Sequence, residues 1–279
     1  MFGASLIPLL RASGHGVVCQ GRGQNADMRL DPADTHSVEN ALRATRAEVA
    51  INLVGSTNVH KCEADPAYAY HVNAATVYAL STAIKRSVGT KTHLIHISTD
   101  QVYSGTGPHE ESEVQPINVY GLSKYAGETA ALNIGATVLR TNFFGKSQCP
   151  GRKSLSDWVV DNLRSHAHIT VFSDVRFSAL NMRSLGRIID GVIAERPAGV
   201  LNVGCRDGIS KAEFAISLGQ ALGLSVDSLR VGVSAEAGLQ VRRPNDMTLC
   251  VKRIEGALGI TCPTFAEEIE KTAKEYCHV

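Results

Sequence analysis

The stretch "VAINLVGSTN", residues 49–58, sets the fold class. Five of its first six residues are apolar, three of them β-branched, and the run then breaks into small and polar residues. That pattern suits a short strand buried on both faces, followed by a turn in which small side chains let a ligand approach the backbone. The same kind of run recurs outward along the chain: "GVVCQ" at 16–20, "THLIHIS" at 92–98, "ATVLRT" at 136–141, "ITVFS" at 169–173 and "GVLNVG" at 199–204. Between the early runs lie apolar residues at helical spacing, over 35–47, 66–87 and 120–133. Alternation of this kind is a βαβ series, so a doubly wound α/β parallel sheet with helices on both faces is expected.

Beyond about residue 145 the rhythm loosens through "GKSQCPGRKS" into helical patterns at 154–165, 183–195, 210–223 and 264–276. Residues 1–147 are therefore expected to form a Rossmann-like domain. Residues 148–279 would form a smaller α/β lobe, partly interleaved with the sheet. A chain of 279 residues is long enough for both.

Composition narrows the partners. Lys and Arg number 28 against 27 for Asp and Glu, a formal charge of +1, so there is no global pull toward nucleic acid or an anionic membrane. No apolar run reaches the ~18 residues of a membrane span, and "SLIPLLRASG" is too short and lacks the basic start of a signal peptide. A cytoplasmic protein is expected. The seven cysteines are scattered without CxxC spacing, and the histidines show no ligand pairs, so reduced thiols and no metal site are expected.

Chemistry concentrates in "NVYGLSKYAGET", residues 118–129. On a helix Tyr120 and Lys124 stand one turn apart on one face. The lysine charge would then favour the phenolate and bring the tyrosine pKa nearer neutrality for proton transfer. A surface Tyr-Lys pair has the same spacing. Upstream, "ISTDQVYSGTG" leaves Ser98, Thr99 and Asp100 at the carboxyl edge of a strand, where open parallel sheets bind ligands. A hydroxyl there could bond the same substrate oxygen that Tyr120 protonates, although these residues also serve as turn and cap residues. Asn73, in "HVNAATVYAL", reads by itself as a polar residue on a helix.

Taken in order, "NLVGSTNVHKCEADPAYAYHVNAATV", "ISTDQVYSGTG", "PINVYGLSKYAGE" and "LRTNFFG" resemble the extended short-chain dehydrogenase/reductases, and most of all the dTDP-4-dehydrorhamnose reductases. The resemblance continues through "VFSDVRFSALNMRSLGRII", "GVLNVGCRDGISKAEFA" and "QVRRPNDMTLCVKRI", covering nearly the whole chain. It implies that residues 1–147 bind NAD(P) and 148–279 the substrate, with Thr99, Tyr120 and Lys124 as the catalytic trio. A nicotinamide cofactor, NADPH or NADH, would give hydride to the C4 ketone of a nucleotide-linked 6-deoxy-4-ketohexose. Tyr120 would supply the proton, Thr99 would hold the carbonyl oxygen, and Lys124 would bind the nicotinamide ribose.

The same resemblance implies Gly3, Asp31, Val54, Gly55, Asn73, Ser98 and Asn142 along the cofactor, Asp31 near the adenine. It implies Asp100 at the sugar, with Arg242 and Arg243 of "VRRPND" at the diphosphate, which planar guanidinium groups suit. Asp31 reads equally as a turn or capping residue before Pro32, and the two arginines as solvated surface charges. Arg22 lies where a cation could meet a 2′-phosphate, a slight lean to NADPH. The expected product is dTDP-L-rhamnose for a polysaccharide, with a homodimer as the assembly. Other epimerases, dehydratases or 4-ketoreductases of the superfamily share the trio, and the regulatory β subunit of methionine adenosyltransferase shares the fold.

The family opens on a strand and a glycine-rich GxxGxxG turn that holds the pyrophosphate at a helix N-terminus. Here only "MFGASLIPLL" stands, with Gly3 matching the last of those glycines. The sheet is therefore expected to lack its first strand and the 279-residue chain to bind nucleotide weakly or not at all. A start assigned ~10–15 residues downstream of the true one would account for this, a length suited to a strand and its turn. A decayed remnant or a fold kept for an altered role are the alternatives.

Overall fold

The computed structural model describes residues 1–23, 26–87, 91–238 and 240–277. The chain opens on helix α1 (Phe2–Ala12), followed by α2 (Thr35–Thr45) and strand β1 (Val49–Asn52). Helices α3 (Val59–Ala64), α4 (Pro66–Tyr70) and α5 (Thr76–Arg86) come next, with a π-helical turn at His71–Ala75 joining the last two. Strand β2 (His93–Ile97), a 3-10 turn (Asp100–Val102), α6 (Val119–Leu132) and β3 (Thr137–Thr141) complete the first half.

The second half runs β4 (Phe143–Phe144), α7 (Leu155–Arg164), β5 (Ile169–Phe172), β6 (Arg176–Phe177), β7 (Leu180–Asn181) and α8 (Met182–Glu195). It continues with β8 (Gly199–Val203), β9 (Ile209–Ser210), α9 (Lys211–Ala221), β10 (Leu229–Gly232) and β11 (Asp246–Met247). Helices α10 (Lys252–Leu258) and α11 (Phe265–Cys277) close the chain.

The main sheet has the order β1-β2-β3-β8, every pair parallel, with Asn52 beside His96, Ile97 beside Leu139 and Thr141 beside Val203. Alternate side chains go to opposite faces, as a pleated strand requires. Ile95, Ile97, Leu139, Leu201 and Val203 meet Phe2, Leu6 and Leu10 of α1 and Leu185 and Ile189 of α8. Leu94 and Val138 meet Val77 of α5 and Ala131 of α6 on the other side. Both faces are covered, so the sheet is doubly wound, as the near-continuous apolar runs predict.

The first predicted strand, 16–20, does not form. Only Gln20 bridges Met28, supported by Met28 N donating to the Cys19 carbonyl at 3.1 Å and Cys19 N to Asp27 Oδ2 at 2.8 Å. A strand is defined by its neighbour's ladder, and the main sheet ends at β1 among the described residues. Val17 and Val18 have β propensity but pair with no strand of that sheet, and Val18 is exposed.

The second half adds pairs β10-β5 and β4-β7 and the three-stranded β11-β6-β9. Phe144, Phe177, Phe214 and Phe265 lock β4, β6, α9 and α11 together, with ring centroids 4.8–6.0 Å apart. Such aromatic pairs add ~0.5–1.5 kcal/mol each beyond their buried area. This cluster joins the same core as β2 and β3, so the carboxyl ends of the main strands face the second half across a packed base.

Candidate active site

Helix α6 starts where Asn118 accepts the Gly121 amide on its Oδ1 at 2.8 Å, an N-cap that fixes the first turn. The other end of the same amide, Nδ2, donates to the Arg242 carbonyl at 3.1 Å, tying the "VRRPND" segment to the start of the helix. Two glycines let α6 sink into its neighbours. A Cβ on Gly121 would stand 2.5 Å from the Gln101 carbonyl, and one on Gly127 would overlap the Asn73 carbonyl. The helix therefore lies directly against the turn after β2 and against the π-helical turn.

That approach buries Tyr120 and Lys124, which are 6% and 5% exposed. A surface Tyr-Lys pair is thereby ruled out. Lys124 Nζ donates to the Ile97 carbonyl at 2.6 Å, and burial pulls its pKa from 10.5 to about 8, opposed by Glu128. The expected fall in the Tyr120 pKa is corrected. Burial pushes the phenol well above its ordinary value, the Thr99 hydroxyl favours the phenolate, and the Asp100 carboxylate raises it further. Desolvation decides the shift, because a phenolate in a dry site loses more hydration than the Thr99 hydroxyl returns, and the lysine charge foreseen from the helical spacing is not among its causes.

Thr99 and Asp100 lie at the carboxyl end of β2. Thr99 Oγ1 caps the 3-10 turn by accepting the Gln101 amide at 3.2 Å. Asp100 is 1% exposed and takes a 2.8 Å bond from Asn142 Nδ2. Burial raises its carboxyl to about 6, with Asn142 and the charge of Lys211 acting the other way. Asn142 is thus placed to aim Asp100.

Gly55 lies exposed after β1. A Cβ there would stand 3.3 Å from Asn73 Oδ1 and 3.7 Å from Lys124 Nζ, so the glycine leaves open a cradle over the ammonium. Val54 N is held by Asn52 Oδ1 at 3.0 Å. Asn73 is fully buried; its Oδ1 accepts the Ser56 amide at 2.8 Å and its Nδ2 donates to Ser123 at 2.9 Å. It braces the turn after β1 against α6. The π-helical turn supplies that inward amide, a common use of such turns near functional sites.

Ser98 departs from its expected place at the ligand. Its hydroxyl donates to Glu128, whose carboxylate also takes Arg140 Nε at 3.1 Å and Nη2 at 2.7 Å. Arg140 reaches on to Tyr103 Oη and the Glu111 carbonyl, both at 2.7 Å, and Tyr103 donates to Asn202 at 2.7 Å. This buried chain couples β2, α6, β3 and β8 beneath the trio. Its members lie far apart in sequence, so no local pattern reveals them.

Of the outer residues, the Arg242–Arg243 segment is tied to this centre by the Asn118 bond and by the charge of Arg243 on Lys211. Asp31 is exposed and accepts the Ala33 amide at 2.9 Å, the turn role, while Asp34 caps α2. Arg22, Arg242 and Arg243 are exposed, and Gly3 lies in the first turn of α1 with Leu53 3.4 Å from its Cβ direction. Among the described residues none of the helices is long and apolar enough to cross a membrane.

Sequence reasoning missed Lys211. It occupies the first position of α9, behind the Ser210/Glu213 capping box, where a cation opposes the helix field. That placement was the available signal. Its Nζ stands 3.3 Å above the Phe177 ring, and burial pulls it to about 8 against the attraction of Asp100, with Arg243 adding to the fall.

Known proteins share both sequence and fold with this arrangement. The chain matches the family described as RmlD substrate binding domain over residues 1–278. It is 25% identical to a probable low-salt glycan biosynthesis reductase, Agl14, of Haloferax volcanii, across 96% of this chain and 93% of that one. A dTDP-4-dehydrorhamnose reductase of Streptomyces griseus is 37% identical over a match spanning 48% of this chain and 42% of the relative. The crystal structure of a Bacillus anthracis dTDP-4-dehydrorhamnose reductase in complex with NADP superposes with a TM-score of 0.80, at 24% identity, covering 88% of this chain and 87% of that one. The resemblance to the extended short-chain dehydrogenase/reductases holds along the whole chain, which belongs to the family of the RmlD substrate binding domain, a family of NAD(P)H-dependent oxidoreductases.

Proposed function

We propose that the protein reduces the C4 ketone of a nucleotide-linked 4-keto-6-deoxyhexose, turning dTDP-4-dehydro-L-rhamnose into dTDP-L-rhamnose for polysaccharide synthesis. The observation that carries the reading is the burial of Tyr120, Lys124, Thr99 and Asp100 around one point at the carboxyl end of β2. Burying polar groups is costly unless they are hydrogen-bonded, and titratable groups whose pKa values burial shifts cluster at functional sites. Residues 1–147 would hold the dinucleotide and 148–279 the sugar nucleotide.

The open cradle at Gly55 above Lys124 fits a nicotinamide ribose, with Val54, Asn73 and Asn142 around it, and Gly3 and Asp31 toward the far end of the dinucleotide. When bound, the nicotinamide supplies hydride. This chain's residues do the remainder. Thr99 donates to the carbonyl oxygen and orients it. Tyr120 holds its proton firmly in the dry site and delivers it as negative charge grows on that oxygen. Lys124 stabilises the phenolate left behind, since its charge lies on the same helix face one turn away. Asp100 receives a sugar hydroxyl, and Arg242 and Arg243 meet the diphosphate.

The test is NADPH oxidation by the protein, as it stands and with a strand and glycine-rich turn restored ahead of Met1, on a panel of nucleotide-linked 4-ketosugars, the product's C4 configuration being read by NMR. Turnover of dTDP-4-dehydro-L-rhamnose to the rhamnose product is expected of the restored chain. Turnover only of a different ketosugar, or an epimerised or dehydrated product without net NADPH use, overturns it.

A further inference from the structure

We propose that His96 is a positioning residue for the nicotinamide half of the cofactor, acting through Asn52 on the turn after β1. The inference rests on the reductase reading above and deepens it with a side chain that lies too deep to touch the ligand itself.

His96 of β2 and Asn52 of β1 are cross-strand neighbours, 0% and 5% exposed. The Val54 amide, which can only donate, bonds to Asn52 Oδ1 at 3.0 Å. That leaves Asn52 Nδ2 as the end that faces His96 Nδ1, at 3.1 Å. An amide NH2 also only donates, so Nδ1 is the acceptor and the ring's own hydrogen belongs on Nε2. The other tautomer would set an N–H against that NH2. Turning the Asn52 amide over to relieve the clash would present the same NH2 to the Val54 N–H. Burial, with the charge of Lys124 adding to it, pulls the imidazole well below its ordinary pKa, so the ring is neutral and keeps its lone pair. One lone pair on His96 therefore decides which way the Asn52 amide faces, and the amide decides whether the Val54 N–H is held.

The turn so held borders the cradle over Lys124. A Cβ on Gly55 would stand 3.7 Å from Lys124 Nζ, and Gly55 itself is exposed. On the far side of that glycine the Ser56 amide is held independently, by Asn73 Oδ1 at 2.8 Å, while Asn73 Nδ2 reaches Ser123 on α6 at 2.9 Å. Buried amides thus clamp the residues on either side of Gly55, Asn52 anchored in the sheet by His96 and Asn73 on the helix that carries Tyr120. A turn already pinned on both sides loses less freedom when a ribose settles against it. The arrangement has a cost, because His96 Nε2 is buried without a partner among the described residues. An apolar residue at 96 would avoid that unpaired N–H, so a histidine there accords with a side chain held for the orientation it imposes.

The experiment compares wild type with His96→Leu and His96→Asn. Leucine fills the space and offers no acceptor, whereas asparagine sets Oδ1 where Nδ1 stood but leaves a void. Amide hydrogen exchange at Val54 and Ser56 is read in the free 279-residue chain, together with Tm. Affinity for reduced nicotinamide mononucleotide is read by chemical-shift titration, on that chain and on one with a strand and glycine-rich turn restored ahead of Met1. His96→Leu should speed exchange at Val54 by about 10-fold with Ser56 unmoved, and weaken the mononucleotide by about 3–10-fold, the worth of a net hydrogen bond. Its Tm should stay near that of wild type. His96→Asn should have the lower Tm and yet keep Val54 protected and the affinity within about twofold of wild type. That inversion separates positioning from support, since a merely structural histidine would make affinity follow Tm. Affinity that follows Tm, or Val54 exchange unmoved in His96→Leu, overturns the inference. Unchanged affinity in His96→Leu overturns it too, with the reductase reading left standing. If wild type binds no mononucleotide in either form, the cofactor reading falls and takes this inference with it.

Discussion

Lys124 Nζ donates to the main-chain oxygen of Ile97 at 2.6 Å, which ties the helix carrying Tyr120 to the last residue of the strand carrying Thr99. The bond recovers part of the cost of burying the ammonium, and the rest shows as its fall to about 8. Lys124 is thus a strained structural choice. Lys124→Met should fold with a Tm equal to or above that of wild type, while kcat/KM falls by about 10²-fold or more. The sign with pH follows. A lysine whose folded pKa lies below its unfolded 10.5 leaves the folded state with fewer protons between about 8 and 10.5, so stability rises with pH there. Lys211 acts in the same direction, so Lys124→Met should flatten only part of that rise in urea titrations across this window.

Tyr120 holds its proton more tightly than a free phenol because burial disfavours the phenolate. Tyr120→Phe keeps the ring in its cluster with Val59, Cys62, Ala69 and Val241, so stability should change little. Turnover should fall by about 10²–10⁴-fold, the span of a positioned proton donor, with NADPH affinity preserved. Activity equal to wild type in stopped-flow NADPH oxidation would remove Tyr120 from the chemistry.

The elements that positioned these residues were largely readable from periodicity. The strands at 49–52, 93–97, 137–141, 169–172 and 199–203, and the long helices, fall within the apolar runs and helical spacings of the chain. Strand 16–20 was misread because pairing is non-local: Val17 and Val18 carry the propensity, but an edge elsewhere decides the outcome. The partner of Ser98 was unreadable for a related reason, since Glu128 lies 30 residues on and buried pairs leave no local mark. The direction of the Tyr120 shift was misjudged because spacing reveals neighbours and burial reveals solvent, and here burial dominates. Short elements such as β6, β9 and β11, two residues each, carry no period at all.

The Glu128–Arg140 pair sits 0% and 2% exposed beneath the trio, with three hydrogen bonds between the partners. Removing one partner strands the other charge in a dry site. Glu128→Leu should cost about 3–5 kcal/mol of unfolding free energy, since Ser98 and Arg140 both lose their acceptor. Glu128→Leu combined with Arg140→Met should cost less than Glu128→Leu alone, because the stranded cation is gone as well. Urea denaturation of the three variants measures this directly, and additive losses would show that the pair contributes no coupling.

Asp100 gives the opposite pH signature from Lys124. Its carboxyl is raised from 3.8 to about 6, chiefly by burial, so the folded state holds more protons than the unfolded one between those values. Stability is then greatest below the unfolded pKa and falls as pH rises through about 6. At about 1.4 kcal/mol for each pKa unit, the loss is up to roughly 3 kcal/mol. Asp100→Asn keeps the shape and can still accept from Asn142, but it carries no charge to desolvate. The variant should therefore lose this fall, its unfolding free energy rising relative to wild type across the window and exceeding it at neutral pH, while substrate KM rises because the sugar loses its charged acceptor. Parallel urea titrations of the two proteins from pH 4 to 7 check the first part, and a wild-type stability that does not fall relative to the variant's through the window would contradict the buried, proton-retaining carboxyl.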